Sequence, residues 1–364
     1  MRPFAEIGAA VVGTGFIGVV HVEALRRLGV QVRGVVGSSH ERAAARSREL
    51  GLPQAYPSFE AMLDDPQVDV VHITTPNHLH HVQAEAALTA GKHVVCEKPL
   101  AMTPSESYEL LQIAEQSNLV HATNFNLRFY PLCQHLHGLI REGGLGKVRL
   151  MSGHYLQDWL LLESDWNWRV DPRLGGELRA VGDIGSHWMD LTAYLSGRRI
   201  ESVMADLSTF ITRRLERDVT TDDAATILLR YEGGARGAVT ISQLSPGRKN
   251  SLVFEIDGSE SSAVWDSERP DELLLGHRGR PSELLQRDPP LLNEEGRRST
   301  SLPGGHVEGF ADTFKNLYAA VYRAVADGKP GAGYPTFADG HEQMLVNEAV
   351  RLSSSARTWI DVKR

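Results

Sequence analysis

The stretch IGAAVVGTGFIG, residues 7–18, restricts the fold more than any other part of this 364-residue chain. Residues 7–13 are a short apolar run, the pattern of a strand buried on both faces. Gly13, Gly15 and Gly18 follow at G-x-G-x-x-G spacing, with Phe16 and Ile17 completing the turn, and a helical pattern runs on to about Leu28. Such a glycine pattern alone is a common structural turn; standing between a strand and a helix, it gains meaning. Gly13 permits the tight turn, Gly15 lets a pyrophosphate approach the backbone, and Gly18 lets the helix pack on the strand. The N–H groups that open the helix then face the phosphates.

The same alternation continues. Further strands are predicted at 30–36, 68–74, 93–97 and 119–125, and helices at 40–50, 80–91 and 104–118. This order forces a parallel sheet with helices on both faces, a doubly wound Rossmann α/β domain over 1–125. Ligands of such sheets bind beyond the carboxyl ends of the strands. Thr75, Pro76 and Asn77 therefore face the cofactor after one strand, and Glu97 and Lys98 after the next; Pro99 holds Lys98 extended. The plain alternative for Lys98 is a solvated surface lysine. His80 is counted with the cofactor-facing set. With His78 and His81 it resembles a metal cluster, but no metal-ligand spacing repeats, and solvated or capping histidines are the expectation. The strand ending at 36 carries no acid for a ribose hydroxyl; it offers Ser38, Ser39 and Arg42 instead, which favours NADP over NAD.

From about 147 the texture changes. Residues 147–158 and 200–210 read as strands, and 221–245 and 250–266 as hairpins turning at Gly233–Gly234 and near Asp257–Gly258. The expectation for 126–364 is an α+β domain with a mostly antiparallel sheet. Helices are predicted at 185–196, 306–328 and 337–357. Residues 267–303, charged and rich in Pro and Gly, read as a long surface loop or lid. At 181–190, VGDIGSHWMD puts an acid and an imidazole one helical turn apart. Ile184, Trp188, Leu191 and Leu195 form an apolar stripe, with Asp183, His187 and Asp190 on a flanking face. Taken alone, Asp183 reads first as an N-cap. A histidine beside an acid is also how a base is oriented.

GTGFIG at 13–18, EKP at 97–99 and DIGSH at 183–187 together resemble the Gfo/Idh/MocA oxidoreductases, the family of glucose–fructose oxidoreductase and inositol dehydrogenase. TPNHLH at 75–80 and the tail GGHVEGFADTF extend the likeness over the whole chain. The resemblance implies hydride transfer between NAD(P) and an alcohol or ketone carbon of a sugar or polyol. Lys98 then corresponds to the family's active-site lysine, and Asp183 and His187 to its aspartate and histidine. The chemistry agrees with those residue types. Imidazole, with an ordinary pKa of about 6.5, suits the hydroxyl proton. An ammonium favours alkoxide character on the same oxygen, and Asp183 orients the ring or binds a neighbouring hydroxyl. Just before that helix, Trp166 and Trp168 offer faces for a pyranose and Arg169 offers hydrogen bonds, against the alternative of ordinary core aromatics. Asn126, Arg128 and Tyr130 are further substrate candidates, and His306 a weaker one. Two rivals share the fold: an NAD-dependent glycosidase and a non-catalytic dinucleotide sensor.

Net charge of −8 gives no electrostatic footprint for nucleic acid or an anionic membrane. Two cysteines make no disulfide framework or zinc pattern. The N-terminus lacks a signal-like apolar region, so a cytoplasmic protein is the expectation. The resemblance implies that 126–364 carries a large, open sheet used for substrate binding and oligomerisation, in a homodimer or homotetramer.

Overall fold

The computed structural model describes residues 2–331 and 333–364. The chain divides into two compact units, Met1–Asn126 with Ala311–Met344, and Leu127–Phe310 with Leu345–Arg364.

The first unit alternates as the sequence predicts: β1 (Gly8–Val12), α1 (Phe16–Arg27), β2 (Gln31–Val36), α2 (His40–Leu50), α3 (Phe59–Leu63), β3 (Val70–Ile73), α4 (His80–Thr89), β4 (His93–Cys96), α5 (Pro104–Ser117) and β5 (His121–Thr123). The five strands pair in parallel, in the order β2-β1-β3-β4-β5. β1, β3 and most of β4 are fully buried, which is why they read as apolar runs rather than alternating ones. Local signals set the helix ends. Ser39 caps α2, and Gly51 closes it in the left-handed region at φ +59°. Thr103 and Glu106 form a full capping box on α5. The last of these strands is shorter than the predicted 119–125: it runs over His121–Thr123, with Asn124 N–H still donating to Cys96 O at 2.8 Å.

The second unit contains α6 (Pro131–Arg141), β6 (Leu150–Leu156), α7 (Pro172–Gly175), α8 (Ser186–Ser196), β7 (Ile200–Ser208), the ribbon β8 (Arg213–Arg214) and β9 (Arg217–Asp218), β10 (Ala224–Tyr231), β11 (Arg236–Ser242), β12 (Ser251–Asp257), β13 (Ser261–Asp266), β14 (Glu272–His277), β15 (Glu283–Gln286) and α9 (Glu294–Arg298). The helices α10 (Phe310–Asp327) and α11 (Phe337–Ala356) and the strand β16 (Ile360–Asp361) complete the chain. Nine strands form one sheet in the order β15-β14-β13-β12-β6-β11-β10-β7-β16. Every pairing is antiparallel except β6 with β11. Both predicted hairpins form. Gly233 and Gly234, at φ +74° and +91°, make the turn of the first. One sheet face packs on α8, with Trp188, Leu191, Leu195, Ile227, Ile241 and Phe254 in a common core. Among the described residues the opposite face is uncovered, with Met204, Leu228, Leu274 and Leu284 37–55% exposed. Directly paired residues Met204, Leu228, Ala238, Ser152, Glu255, Val264, Leu274 and Leu284 make one row across it.

Two expectations are corrected here. Residues 267–303 are no lid: β14 and β15 extend the sheet and α9 packs on α6. Pro270, Gly279 and Pro281 lie outside the strands, while Leu273 and Leu275 alternate inward toward the core. Asp183 is no N-cap either. The helix begins before it, with a π-helical turn over Val181–Gly185 that runs directly into α8. Asp222 supplies the cap from afar, its two carboxylate oxygens accepting from Arg179 N at 2.6 Å and Val181 N at 2.8 Å. A π turn of this kind adds a residue to the helix and is frequent at functional sites.

Candidate active site

In the first unit, the glycine turn has the shape a dinucleotide needs. Gly13 sits at φ +121°, where a Cβ would fall 2.4 Å from Thr74 Oγ1 and 2.8 Å from its carbonyl carbon. A Cβ on Gly18 would lie 2.3 Å from Gly13 O, so helix and turn touch through bare backbone. Gly15 is exposed, with nothing within 4 Å of its Cβ position, and no side chain caps α1. An uncapped helix start, open space at Gly15 and close backbone packing at Gly13 and Gly18 fit a bound pyrophosphate. Phe16, 72% exposed, and Ile17 follow on the first turn of α1.

At the end of β2, Ser38, Ser39 and Arg42 are all exposed. Arg42 donates from its guanidinium to Ser38 Oγ at 3.2 Å and from its backbone to Ser39 Oγ at 3.3 Å. At the end of β3, Thr75 Oγ1 bonds Gln83 and Asn77 is buried, with Pro76 between them. His80 departs from the solvated reading. Its ring is fully buried and its two nitrogens face Pro99 O at 2.7 Å and Thr75 O at 2.9 Å. It ties the segment after β3 to the segment after β4. Burial pulls its pKa below the usual histidine value, against those two carbonyls. His78 is exposed, and His81 Nε2 lies 3.2 Å from Glu109. Among the described residues no group of three or more His, Cys, Asp or Glu is placed to hold a metal ion, and no helix is long and apolar enough to cross a membrane.

Lys98 follows β4, half-buried, and its backbone N–H donates to Glu97 Oε2 at 3.2 Å. Glu97 Oε1 in turn accepts from Asn124 Nδ2 and contacts His21 Nε2 at 3.1 Å. Asn126 donates to Thr313 at 2.7 Å.

In the second unit, the π turn and α8 carry the other candidates. Asp183 accepts from Arg169 Nε at 3.2 Å on one oxygen and from Gln243 Nε2 at 2.9 Å on the other. His187 is 8% exposed, one turn further along. Arg169 also lies over the Trp168 ring, 4.4 Å from its centroid. Trp166 packs on a small cluster of Leu160, Val170 and Val219, with Arg217 over its face. Asp190 and Arg128 are paired: Arg128 donates to both Asp190 oxygens and lies over the Tyr194 ring. Tyr130 packs on Trp265 in the core, and exposed His306 contacts Gly304 O.

Sequence reasoning missed Gln243, Asp222, His21 and His72. The first two act through contacts some 40 to 60 residues away in sequence, so no local pattern marks them. His72 did leave a signal: a polar residue in the middle of a strand buried on both faces.

Residues 7–125 match the Gfo/Idh/MocA oxidoreductase family with its NAD-binding Rossmann fold, and residues 133–264 match the family's C-terminal domain. A levoglucosan dehydrogenase of Pseudarthrobacter phenanthrenivorans is 32% identical over 98% of this chain and 98% of its own. A solved levoglucosan dehydrogenase, in complex with NADH and L-sorbose, is similar with a TM-score of 0.93 at 32% identity, covering 100% of both chains. An inositol dehydrogenase homologue from Azotobacter vinelandii, complexed with NAD+, has a TM-score of 0.89 at 29% identity, over 99% of this chain and 97% of that one. With both halves matched and the likeness running the full length, the chain belongs to the Gfo/Idh/MocA family of NAD-binding oxidoreductases.

Proposed function

We propose that this protein is an NAD(P)-dependent dehydrogenase that interconverts a secondary alcohol and a ketone on a cyclic sugar, polyol or sugar derivative. Its full-length likeness to a levoglucosan dehydrogenase complexed with NADH and L-sorbose carries the reading. Lys98, Asp183 and His187 do the chemistry. When bound, the nicotinamide supplies the hydride acceptor or donor. In oxidation His187 takes the hydroxyl proton, and Lys98 hydrogen-bonds the same oxygen and favours its alkoxide character. In reduction His187 returns the proton. Asp183, fixed by Arg169 and Gln243, orients the imidazole or binds a neighbouring hydroxyl. Trp166, Trp168 and Arg169 serve the sugar ring, whose faces are apolar and whose rim is hydroxylated; Arg128, which pairs with Asp190, is a further substrate contact in this reading. The cofactor turn uses Gly13, Gly15, Phe16, Ile17 and Gly18, with Thr75, Pro76, Asn77, His80 and Glu97 at the strand ends. The N-terminal domain is read as 1–125 and the substrate and oligomerisation domain as 126–364, with residues 311–344 clustering with the first unit.

The test is a panel of anhydrosugars, aldoses and cyclic polyols, each with NAD⁺ and NADP⁺, followed by absorbance of the reduced nicotinamide. Stoichiometric reduction by one of them is expected. Cleavage of a glycoside with no net reduction would replace the assignment with a hydrolytic one.

We read the preferred cofactor as NADP. A 2′-phosphate finds Ser38, Ser39 and Arg42 where an acid would repel it. Arg42→Ala is expected to raise KM for NADP⁺ about tenfold, ~1.4 kcal/mol, and to leave KM for NAD⁺ nearly unchanged. Equal effects on both cofactors would reverse the preference.

A second copy of the chain is the partner we propose for the uncovered sheet face. Leu150, Leu228, Leu274 and Leu284 are 41–55% exposed there, a patch that favours burial in a homodimer or homotetramer. Light scattering on the purified protein reads the state directly. Leu228→Lys with Leu274→Glu is expected to shift it toward monomer, and an unchanged oligomer excludes that face. Free, buried Cys96 and Cys133 accord with a reducing cytoplasm.

A further inference from the structure

Behind Glu97 lies a buried chain of polar side chains that the reaction scheme does not use. Tyr322 Oη lies 3.0 Å from His72 Nε2, His72 Nδ1 lies 3.0 Å from His21 Nδ1, and His21 Nε2 lies 3.1 Å from Glu97 Oε1. His21 comes from α1, His72 from the centre of β3, and Tyr322 from α10. All three are fully buried. A polar group inside a closely packed sheet is destabilising unless it is bonded, so three in sequence call for a reason.

We propose that His21, backed by His72 and Tyr322, is a positioning residue that fixes the Glu97 carboxylate and through it the backbone of Lys98. The inference rests on the reading of Lys98 as a working group.

The direction of every bond follows from Glu97. Its carboxylate already accepts from Asn124 Nδ2 and from Lys98 N, so it accepts from His21 as well, and His21 carries a proton on Nε2. Its Nδ1 accepts from His72 Nδ1–H, and His72 Nε2 accepts from the Tyr322 hydroxyl. Burial holds His72 well below the usual histidine range, with the His21 ring acting in the same direction, so His72 is neutral and keeps that single proton. His21 also has no room to turn away. His72 stands edge-on to it at 5.2 Å between centroids, and Tyr318 and Phe314 close the remaining sides at 5.1 and 5.7 Å. A carboxylate held by three fixed donors cannot swing, and the amide it holds belongs to Lys98.

Lys98 acts on a developing charge, so a displacement on the order of 1 Å lowers turnover far more than it lowers binding, by as much as about 10²-fold. His21→Leu is expected to lower kcat by about 10²-fold with KM for substrate and Kd for NAD(P)H little changed. His21→Gln, whose Nε2 can reach the same carboxylate, is expected to recover most of that loss. In a Lys98→Ala background, His21→Leu is expected to lower kcat no further, since the group it positions is gone. A His21→Leu enzyme with normal kcat, or one whose loss is the same with and without Lys98, overturns the proposal. So does a His21→Gln enzyme as slow as His21→Leu. If His21→Leu does not fold, Tyr322→Phe keeps the ring packing and removes one oxygen. It is expected to lower kcat several-fold at constant KM, and an unchanged kcat overturns the chain's role. A Lys98→Ala enzyme with full activity is the separate result that removes the reading of Lys98 itself.

Discussion

His187→Ala and Lys98→Ala are each expected to lower kcat by about 10²- to 10⁴-fold, the usual range for losing a positioned proton-transfer group. The affinity for NAD(P)H, read by fluorescence titration, is expected to stay within about twofold. The two substitutions differ in what repairs them. Lys98→Arg carries the charge but not the compact, single-point donor, so it is expected to remain slow. A small exogenous imidazole is expected to restore part of the activity of His187→Ala, because what is missing there is a proton acceptor of suitable basicity. Full turnover by either alanine variant would remove that residue from the reaction. A loss confined to nucleotide affinity would move it from the reacting carbon to the cofactor.

Asp223→Ala is expected to destabilise the second unit by about 3–5 kcal/mol. Arg179 and Arg214 both pair with Asp223 Oδ1, and all three side chains are completely enclosed. Burial, and the like charge of Arg214, pull Arg179 down to about 10, which still leaves it protonated at neutral pH. Removing the acid strands two guanidinium groups in the interior. The backbone of Ile211, which donates to Asp223 Oδ2 at 2.8 Å, loses its acceptor too. Arg298→Ala breaks a pair whose partners are 64% and 73% exposed, and serves as the control. It is expected to change stability by no more than about 0.5 kcal/mol. Urea unfolding reads both, and a difference of less than about 1 kcal/mol between them would mean the buried cluster contributes no more than a surface one. Arg179 also precedes the π turn, so the Asp223→Ala enzyme is expected to lose activity on mild warming before the wild type does.

The parts of the molecule that sequence made legible are those fixed by short-range rules. The glycine turn and its flanking strand and helix follow from residues 7–28 alone, as do the αL closure at Gly51 and the hairpin at Gly233–Gly234. Pattern and motif also put forward Lys98, Asp183 and His187, the residues on which the proposed chemistry rests and of which the alanine variants test Lys98 and His187. What was not legible depends on partners distant in the chain. The start of the His187 helix is set by Asp222, so the local sequence VGDIGSH suggested a cap at Asp183 that the fold puts elsewhere. β15 is the edge of the sheet and β14 lies next to it; both are short, and their charged, Pro-rich setting hides their alternation. His21 looks like one more residue of an amphipathic helix until β3 and α10 bring His72 and Tyr322 against it.

The inclusion of residues 311–344 in the first unit has a consequence for how the protein is made. Tyr318 and Tyr322 cover the two histidines that β3 and α1 bury, and they lie on α10. A ribosome must therefore finish everything up to α10 before the dinucleotide-binding half can close over its own interior. Until then a nascent chain carries two half-covered imidazoles and an open apolar surface, the period in which a chaperone has the most to hold.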